Sequence, residues 1–157
     1  MESAAINTFL GDVANHIADA GCDPPALVPL PATPQRAKYD SLVLFTMTEL
    51  DSQSLWIHRK HSDLSNVFGE APVAVQEARR QFDHALDAMT DEIAEDENDT
   101  SNVEGRYLLP TGFSAVDTLF ADCCFWAQQI GWLERSCGTP TDSSEEQLPK
   151  PLPPKLE

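Results

Sequence analysis

The first residues of the chain, Met1-Glu2-Ser3, could bind a small ligand that carries both a carboxylate and an ammonium group. They stand at the start of a segment with apolar residues at helical spacing, which predicts a helix over residues 3–19. The free amides of a helix N-terminus can donate to a carboxylate, and the Ser3 hydroxyl adds one more donor. Glu2 can accept from an ammonium group. The alternative interpretation is that Ser3 is only the N-cap of this helix.

A second polar pair, Ser114 and Asp117, has the spacing of a capping box. The serine hydroxyl can accept from the amide of Asp117, and the carboxylate can reach back to the amide of Ser114. The negative charge also suits the positive end of a helix dipole. The residues that follow are apolar on almost every side of the helix: Leu119, Phe120, Cys123, Cys124, Trp126, Ala127 and Ile130. This pattern predicts a central helix rather than a surface one.

The four cysteines offer little redox or metal chemistry. They are Cys22, Cys123, Cys124 and Cys137. They form no Cys-x-x-Cys pair, and two neighbours in one helix point about 100° apart, which is a poor geometry for a mutual disulfide. Reduced and mostly buried thiols of a cytosolic protein are therefore predicted. A redox or zinc role is the alternative.

Two histidines, His58 and His61, stand at i and i+3 near a predicted helix end and could face one metal ion. No third ligand is evident nearby. Histidines at a helix C-terminus more often compensate the helix dipole or face solvent. The sequence therefore predicts no metal site, and it assigns no catalytic residue.

The excess of acidic residues limits the classes of partner. Ten Lys and Arg stand against 26 Asp and Glu, a formal net charge of −16, which argues against nucleic acid and anionic membrane surfaces. No apolar run is long enough to predict a membrane span, and the first residues lack the layout of a signal peptide. At 157 residues the chain is long enough for one domain with a real core.

The first half of the chain predicts a long helix after a proline-rich connection. Five prolines between residues 21 and 34 indicate an extended linker. Thr33 as N-cap and Pro34 at the first helical position then begin a helix that runs to about residue 61. A loop is predicted over residues 62–70.

A second long helix and two polar segments complete the pattern. Residues 71–94 are clearly amphipathic, which predicts a surface helix with one buried face. The acidic residues 91–99 predict a solvated loop, since they lack the spacing of an EF-hand calcium site. Residues 134–157 are rich in Pro, Ser and Glu, which predicts a disordered tail.

The segment around Ser114 resembles the capping-box segment of the glutathione S-transferase C-terminal helical domain. The match consists of Arg106-Tyr107-Leu108-Leu109, a short turn, Phe113-Ser114-x-x-Asp117 and an apolar helix that ends at Gly131-Trp132. In that family the equivalent helix runs through the middle of the domain. One departure is Thr118, where the family usually has a branched aliphatic residue that packs on the residue before the cap. The threonine methyl group can replace that contact only in part.

The start of the chain carries a second resemblance. Glu2-Ser3-x-Ala-Ile is similar to the glutathione-site signature at the start of the last helix of the family's thioredoxin-like domain. The resemblance implies that Glu2 and Ser3 hold the γ-glutamyl end of glutathione as co-substrate.

The helix predicted from Pro34 resembles the first helix of the family's C-terminal domain, which lines the pocket for the electrophilic substrate. Arg36-Ala37-x-Tyr39, Phe45 and Glu49-Leu50 carry this resemblance. It implies that Phe45, Glu49 and Trp56 line the substrate pocket. The alternative is that Phe45 and Trp56 are ordinary core residues.

Together the resemblances imply an all-α helical bundle of the transferase C-terminal type over residues 34–133. Residues 1–20 would be the last helix of a thioredoxin-like domain, 21–33 the interdomain linker and 134–157 the tail. The family's catalytic Ser, Cys or Tyr and its cis-proline precede the Glu-Ser pair, so this chain, which starts at Met1, is expected to lack most of the catalytic domain.

This organisation implies a glutathione S-transferase family protein with little or no activity of its own. The family reaction is attack of glutathione thiolate on an electrophilic carbon. The resemblance further implies a cytoplasmic homodimer. The alternative is a non-catalytic helical module, derived from a transferase, that serves in dimerisation or interaction.

Overall fold

The computed structural model describes residues 3–18, 27–94 and 107–134, and every regular element in these ranges is helical. In chain order the elements are α1 (Ser3–Ala18), α2 (Pro34–Phe45), the π-helical stretch π1 (Thr46–Leu55), α3 (Trp56–His58), a second π-helical stretch π2 (Arg59–Asp63), α4 (Ser65–Phe68), α5 (Pro72–Ala94) and α6 (Ala115–Gln129). The predicted all-α class is therefore confirmed for the described residues. None of these helices combines the length and apolar character needed to cross a membrane.

Several predicted segments lie partly or wholly outside the described residues. They are the first part of the linker over 21–33, the acidic loop beyond α5 and the C-terminal tail. The end of the linker, from residue 27 to Thr33, is described and contains no helix, in agreement with the prediction.

One continuous helical rod runs from Pro34 to Asp63 and begins as predicted. Thr33 Oγ1 accepts a hydrogen bond from the amide of Arg36 at 3.1 Å, and Pro34 occupies the first turn. The interior differs from a regular α-helix, because π1 and π2 have the wider π-type turns. Such stretches are rare at this length. In π1, the Ser54 hydroxyl donates to the carbonyl of Glu49 at 2.6 Å and so bonds to a carbonyl five residues back.

The predicted loop over 62–70 is wrong in part. The rod extends to Asp63, and Ser65–Phe68 form one further helical turn, α4. The amides of Val67 and Phe68 both donate to the carbonyl of Leu64, and Gly69 ends the turn with a φ of 83°. The segment therefore satisfies its backbone groups locally although it has no apolar periodicity that the sequence could reveal.

The core lies between the rod, α5 and α6. Its fully or almost fully buried side chains are Tyr39, Leu50, Leu55, Phe82, Met89, Val116 and Ala127. π1 packs against both α5 and α6. The π-helical stretch is therefore the part of the rod that contributes most to the core. Burial of each large apolar side chain stabilises the fold by about 1.5–3 kcal/mol, which makes this three-element contact the main source of stability.

Helix α1 turns its apolar side to solvent. Its apolar stripe consists of Ile6, Phe9, Leu10, Val13 and Ile17. Phe9 is 65% exposed, Leu10 58% and Ile17 48%, whereas Ala4 and Gly11 are buried. At about 100° per residue the two sets lie on opposite sides of the helix. The apolar stripe predicted from the sequence is present on α1, but it faces away from the bundle.

Polar bonds hold the other side of α1 on the bundle. Arg36 forms an ion pair with Asp12, in which Nη1 and Oδ1 are 2.7 Å apart. The Asn15 side chain donates to the carbonyl of Val28 at 2.7 Å. The hydroxyls of Thr8 and Tyr39 are 3.1 Å apart. Three separate polar contacts along one face therefore fix the rotation of α1 about its axis.

Gly11 allows α1 to approach the chain at Val28, which is fully buried. A Cβ atom at position 11 would lie 2.1 Å from Val28 Cγ2 and 2.8 Å from Val28 Cβ. These distances are far below van der Waals contact, and the neighbour is a branched side chain with little room to move. The close approach therefore requires glycine.

We expect Gly11→Ala to loosen α1 from the bundle, although alanine is favoured over glycine in a helix by about 1 kcal/mol. Overpacking of this kind costs about 1–3 kcal/mol. Urea unfolding should report the loss of stability, and amide exchange should report faster opening of α1. Ala5→Gly, at an exposed position of the same helix, is the control and should lose only about 1 kcal/mol. Unchanged or slower exchange in Gly11→Ala would contradict the close packing.

Candidate functional site

The predicted glutathione-binding residues lie at the open end of α1. Ser3 is the first residue of the helix and is exposed to solvent. Glu2 lies outside the described residues. The exposed Ser3 leaves the first turn of α1 accessible to a carboxylate, and the site itself stays a prediction.

The three predicted pocket residues, Phe45, Glu49 and Trp56, occupy different environments on the rod. Phe45 is half-buried and packs against the core, as the alternative interpretation expected. The Glu49 carboxylate accepts hydrogen bonds from neighbouring side chains of the same rod, at 3.3 Å from Thr48 and 3.5 Å from Gln53. Trp56 is 37% exposed. Their shared role as a substrate pocket stays a prediction.

Cationic side chains cover the exposed Trp56 ring. The Arg59 guanidinium lies 5.2 Å from the ring centroid of Trp56 and 5.7 Å from that of Trp126 on α6. The Lys60 ammonium lies 5.7 Å from Trp56 and 6.0 Å from Phe68. Cation–π contacts at exposed sites contribute about 0.5–1 kcal/mol each. The sequence did not reveal this cluster, because its members come from four elements.

The capping box forms as predicted. Asp117 Oδ2 accepts from both the amide and the hydroxyl of Ser114, each at 2.7 Å. Asp117 Oδ1 accepts in addition from the amide of Leu108 at 2.9 Å. Phe113 is half-exposed and packs edge-on against Tyr107, with ring centroids 5.8 Å apart. The Asp117 carboxylate therefore caps the N-terminus of α6 and also binds the backbone of the segment before it. This role is structural.

Two cysteines lie in the described part of the chain, and both are free thiols. Cys123 is buried and Cys124 half-buried. Burial, reinforced by the negative charge of Asp51, raises the pKa of Cys123 to about 12. Burial also raises the pKa of Cys124. Since the thiolate is the reactive form, neither side chain is suited to act as a nucleophile. The predicted burial is confirmed at Cys123 and in part at Cys124; Cys22 and Cys137 lie outside the described residues.

The two histidines engage different partners. His61 Nδ1 donates to the carbonyl of Gly69 at 2.9 Å. His58 Nδ1 is buried without a hydrogen bond, and the nearest carboxylate oxygen, of Asp63, is 3.9 Å away. The His58 ring instead meets Trp132 edge-to-face, with centroids 5.3 Å apart. Within the described ranges, no three potential ligands come together as a metal site would require.

An open groove of about 520 Å³ lies where the end of the rod, the start of α5 and Trp132 meet. We refer to it as the Trp132 groove. It is lined by His61, Ser62, Ser65, Glu70, Pro72, Val75, Gln76, Arg79 and Trp132. None of the predicted pocket residues is among them. One partial signal is visible in the sequence, since positions 72, 75, 76 and 79 share one face of α5.

In comparisons with known proteins, no family model, no curated protein and no solved structure matches this chain. The residues themselves and their geometry are therefore the basis on which a function can be inferred.

We expect Asp117→Ala to destabilise the protein by about 2–4 kcal/mol, because three hydrogen bonds to one half-buried carboxylate are lost and a helix cap with them. Chemical unfolding followed by circular dichroism measures the change. Asp122→Ala, at an exposed position of the same helix, should change stability by less than about 0.5 kcal/mol. Equal effects of the two substitutions would show that the carboxylate of Asp117 does not organise the segment.

Proposed function

We propose that this chain is a glutathione S-transferase-like protein whose helical bundle works together with a thioredoxin-like domain. The observation that carries the proposal is the two-sided character of α1. Its small and polar side packs on the bundle, and its apolar stripe faces away from it. A helix that belongs to an α/β layer must bury its apolar face on a sheet, so this arrangement suits a helix that joins two domains.

The two sequence resemblances point to the same arrangement. The Glu-Ser signature stands at the start of α1, and the capping-box segment precedes α6, in the order found in the family. Ser3 is open to solvent, so that its hydroxyl and the first amides of α1 can receive the γ-glutamyl carboxylate of glutathione. Glu2 would accept from the ammonium group, and Phe45, Glu49 and Trp56 would contact the electrophile.

We do not assign a catalytic side chain in this chain. The buried Cys123 thiol is held neutral by its raised pKa, and the half-buried Cys124 thiol is shifted in the same direction. The family's thiolate-stabilising residue belongs to the thioredoxin-like domain. Conjugation by the 157-residue chain alone is therefore expected to be slight or absent.

A second candidate function is a non-catalytic interaction module. It is favoured by the large apolar side chains that the described surface exposes, among them Phe9, Leu10, Leu44 and Phe125. Such a module would act in the cytoplasm as a homodimer or as the docking partner of another folded domain. The acidic surface of the chain would keep it from nucleic acid and anionic membranes.

We expect glutathione to bind the pure chain weakly but saturably, and Ser3→Ala to abolish that binding, because the hydroxyl supplies a donor at the helix end. Isothermal titration calorimetry measures it. Ser52→Ala, at an exposed position of π1, is the matched control and should bind as the parent does. No heat with the parent chain would favour the interaction module. Appreciable turnover of a chloronitrobenzene substrate would contradict the proposed absence of catalysis.

The exposure of the apolar stripe can be tested separately. We expect the double substitution Phe9→Ser and Val13→Ser to reduce markedly the fluorescence of bound anilinonaphthalene sulfonate, because two central side chains of the stripe are removed. Stability should change little, since Phe9 is 65% exposed. Leu44→Ser, at a 64% exposed position outside the stripe, should reduce the fluorescence much less. A large loss of stability in the double variant would mean that the stripe faces the core.

A further inference from the structure

We propose that the Trp132 groove binds a small monoanion with an apolar body, such as an aromatic carboxylate. The groove shares no residue with α1 or with the predicted substrate pocket. The inference therefore goes beyond the proposed function and does not depend on it. Its volume of about 520 Å³ lies within the range of small-molecule sites.

The cationic group of the groove is Arg79. Its neighbour Arg80 is engaged by Glu77, which accepts from both Nε and Nη2 of that guanidinium. Within the described residues, by contrast, Arg79 makes no ion pair or hydrogen bond. A guanidinium has five donors in a planar fork that matches a carboxylate. As far as the described residues are concerned, the Arg79 guanidinium therefore keeps its donors for a ligand.

Further polar groups converge on the same space. His61 is oriented by its bond to the Gly69 carbonyl, which leaves Nε2 as the ring nitrogen without a protein partner in the described residues. The hydroxyls of Ser62 and Ser65 and the amide of Gln76 also line the groove. α5 begins beside it, and its first turn contains no acidic residue, so the positive end of the helix dipole adds to the attraction for an anion.

The wall of the groove is apolar and rigid. It consists of Pro72, Val75 and Trp132. Trp132 is only 9% exposed, and its ring is fixed by edge contacts with His58 and with Phe82, whose centroid lies 5.7 Å away. An immobile aromatic surface can contact the body of a ligand without losing conformational entropy on binding.

The charge balance selects a single negative charge. Among the described residues that line the groove, Glu70 is the only one with a carboxylate. Arg79 balances that charge, and only the positive end of the α5 dipole adds to it, so the groove favours a monoanion over a multiply charged ligand. Because the groove is open to solvent, affinity for a ligand of about ten heavy atoms is expected to be weak, on the order of 1 mM.

The test is a titration of the full chain with 3-phenylpropionate, followed by two-dimensional ¹H–¹⁵N spectra. The chain has three tryptophans, so the indole signal of Trp132 can be assigned with Trp132→Phe. We expect the Trp132 signal to move in a saturable way while those of Trp56 and Trp126 stay in place. The uncharged 3-phenylpropanamide should bind at least threefold more weakly, because it cannot pair with the guanidinium.

Neighbouring arginines provide the matched controls. Arg79→Gln should weaken binding about three- to fivefold, the effect of losing one exposed ion pair. Arg80→Gln should change it less than twofold, and Ser3→Ala should leave it unchanged even if it abolishes glutathione binding. Both arginines are exposed, so the variants should fold normally, which their spectra would verify. No movement of the Trp132 signal, or equal effects of the two arginine substitutions, would overturn the proposal.

Discussion

The orientation of α1 depends on one half-buried guanidinium, that of Arg36. Its Nη1 and Nη2 lie 2.7 Å and 3.2 Å from the two carboxylate oxygens of Asp12, and its Nε donates to Asp40 at 2.9 Å. The hydrogen bond to Asp12, foremost, raises the pKa of Arg36 further above its already high value. If α1 were rotated to bury its apolar stripe, this half-buried charge would lose both hydrogen bonds to Asp12 and keep only Asp40 as a carboxylate partner, which is unfavourable. The ion pair therefore decides which side of α1 remains available for binding.

Local interactions explain which parts of the fold the sequence could predict. The Thr33 cap, the reciprocal bonds of Ser114 and Asp117 and the buried positions of α5 depend on residues three or four apart, so their patterns are visible in the chain itself. The rotation of α1 depends on a residue 24 positions away, which no periodicity can report. The π-type turns of the rod are likewise not signalled by any residue spacing in the sequence.

The predicted site residues and the observed groove also differ in whether they depend on nearby or on distant parts of the chain. The resemblance implies Trp56 as a pocket residue from its position in the chain, but the environment of its ring comes from Arg59 and Lys60, which cover it. The Trp132 groove combines the end of the rod, the first two turns of α5 and a residue just after α6. Most of its lining lies between residues 61 and 79, but Trp132 comes from a distant segment. Spacing along the chain therefore signals one face of α5 and not the site as a whole.

The strong acidity of the chain makes a groove with an available arginine unusual on its surface. Cations are scarce in this sequence, and those in the described ranges are almost all engaged. Arg36 pairs with two aspartates, Arg80 with Glu77, and Arg59 and Lys60 lie over aromatic rings. Lys38 also has a partner. In a protein of net charge −16, Arg79 has no ion-pair or hydrogen-bond partner within the described residues and lines the groove beside Trp132, so a carboxylate ligand can supply the charge partner that stabilises it. That position is therefore where an external anion gains most from binding.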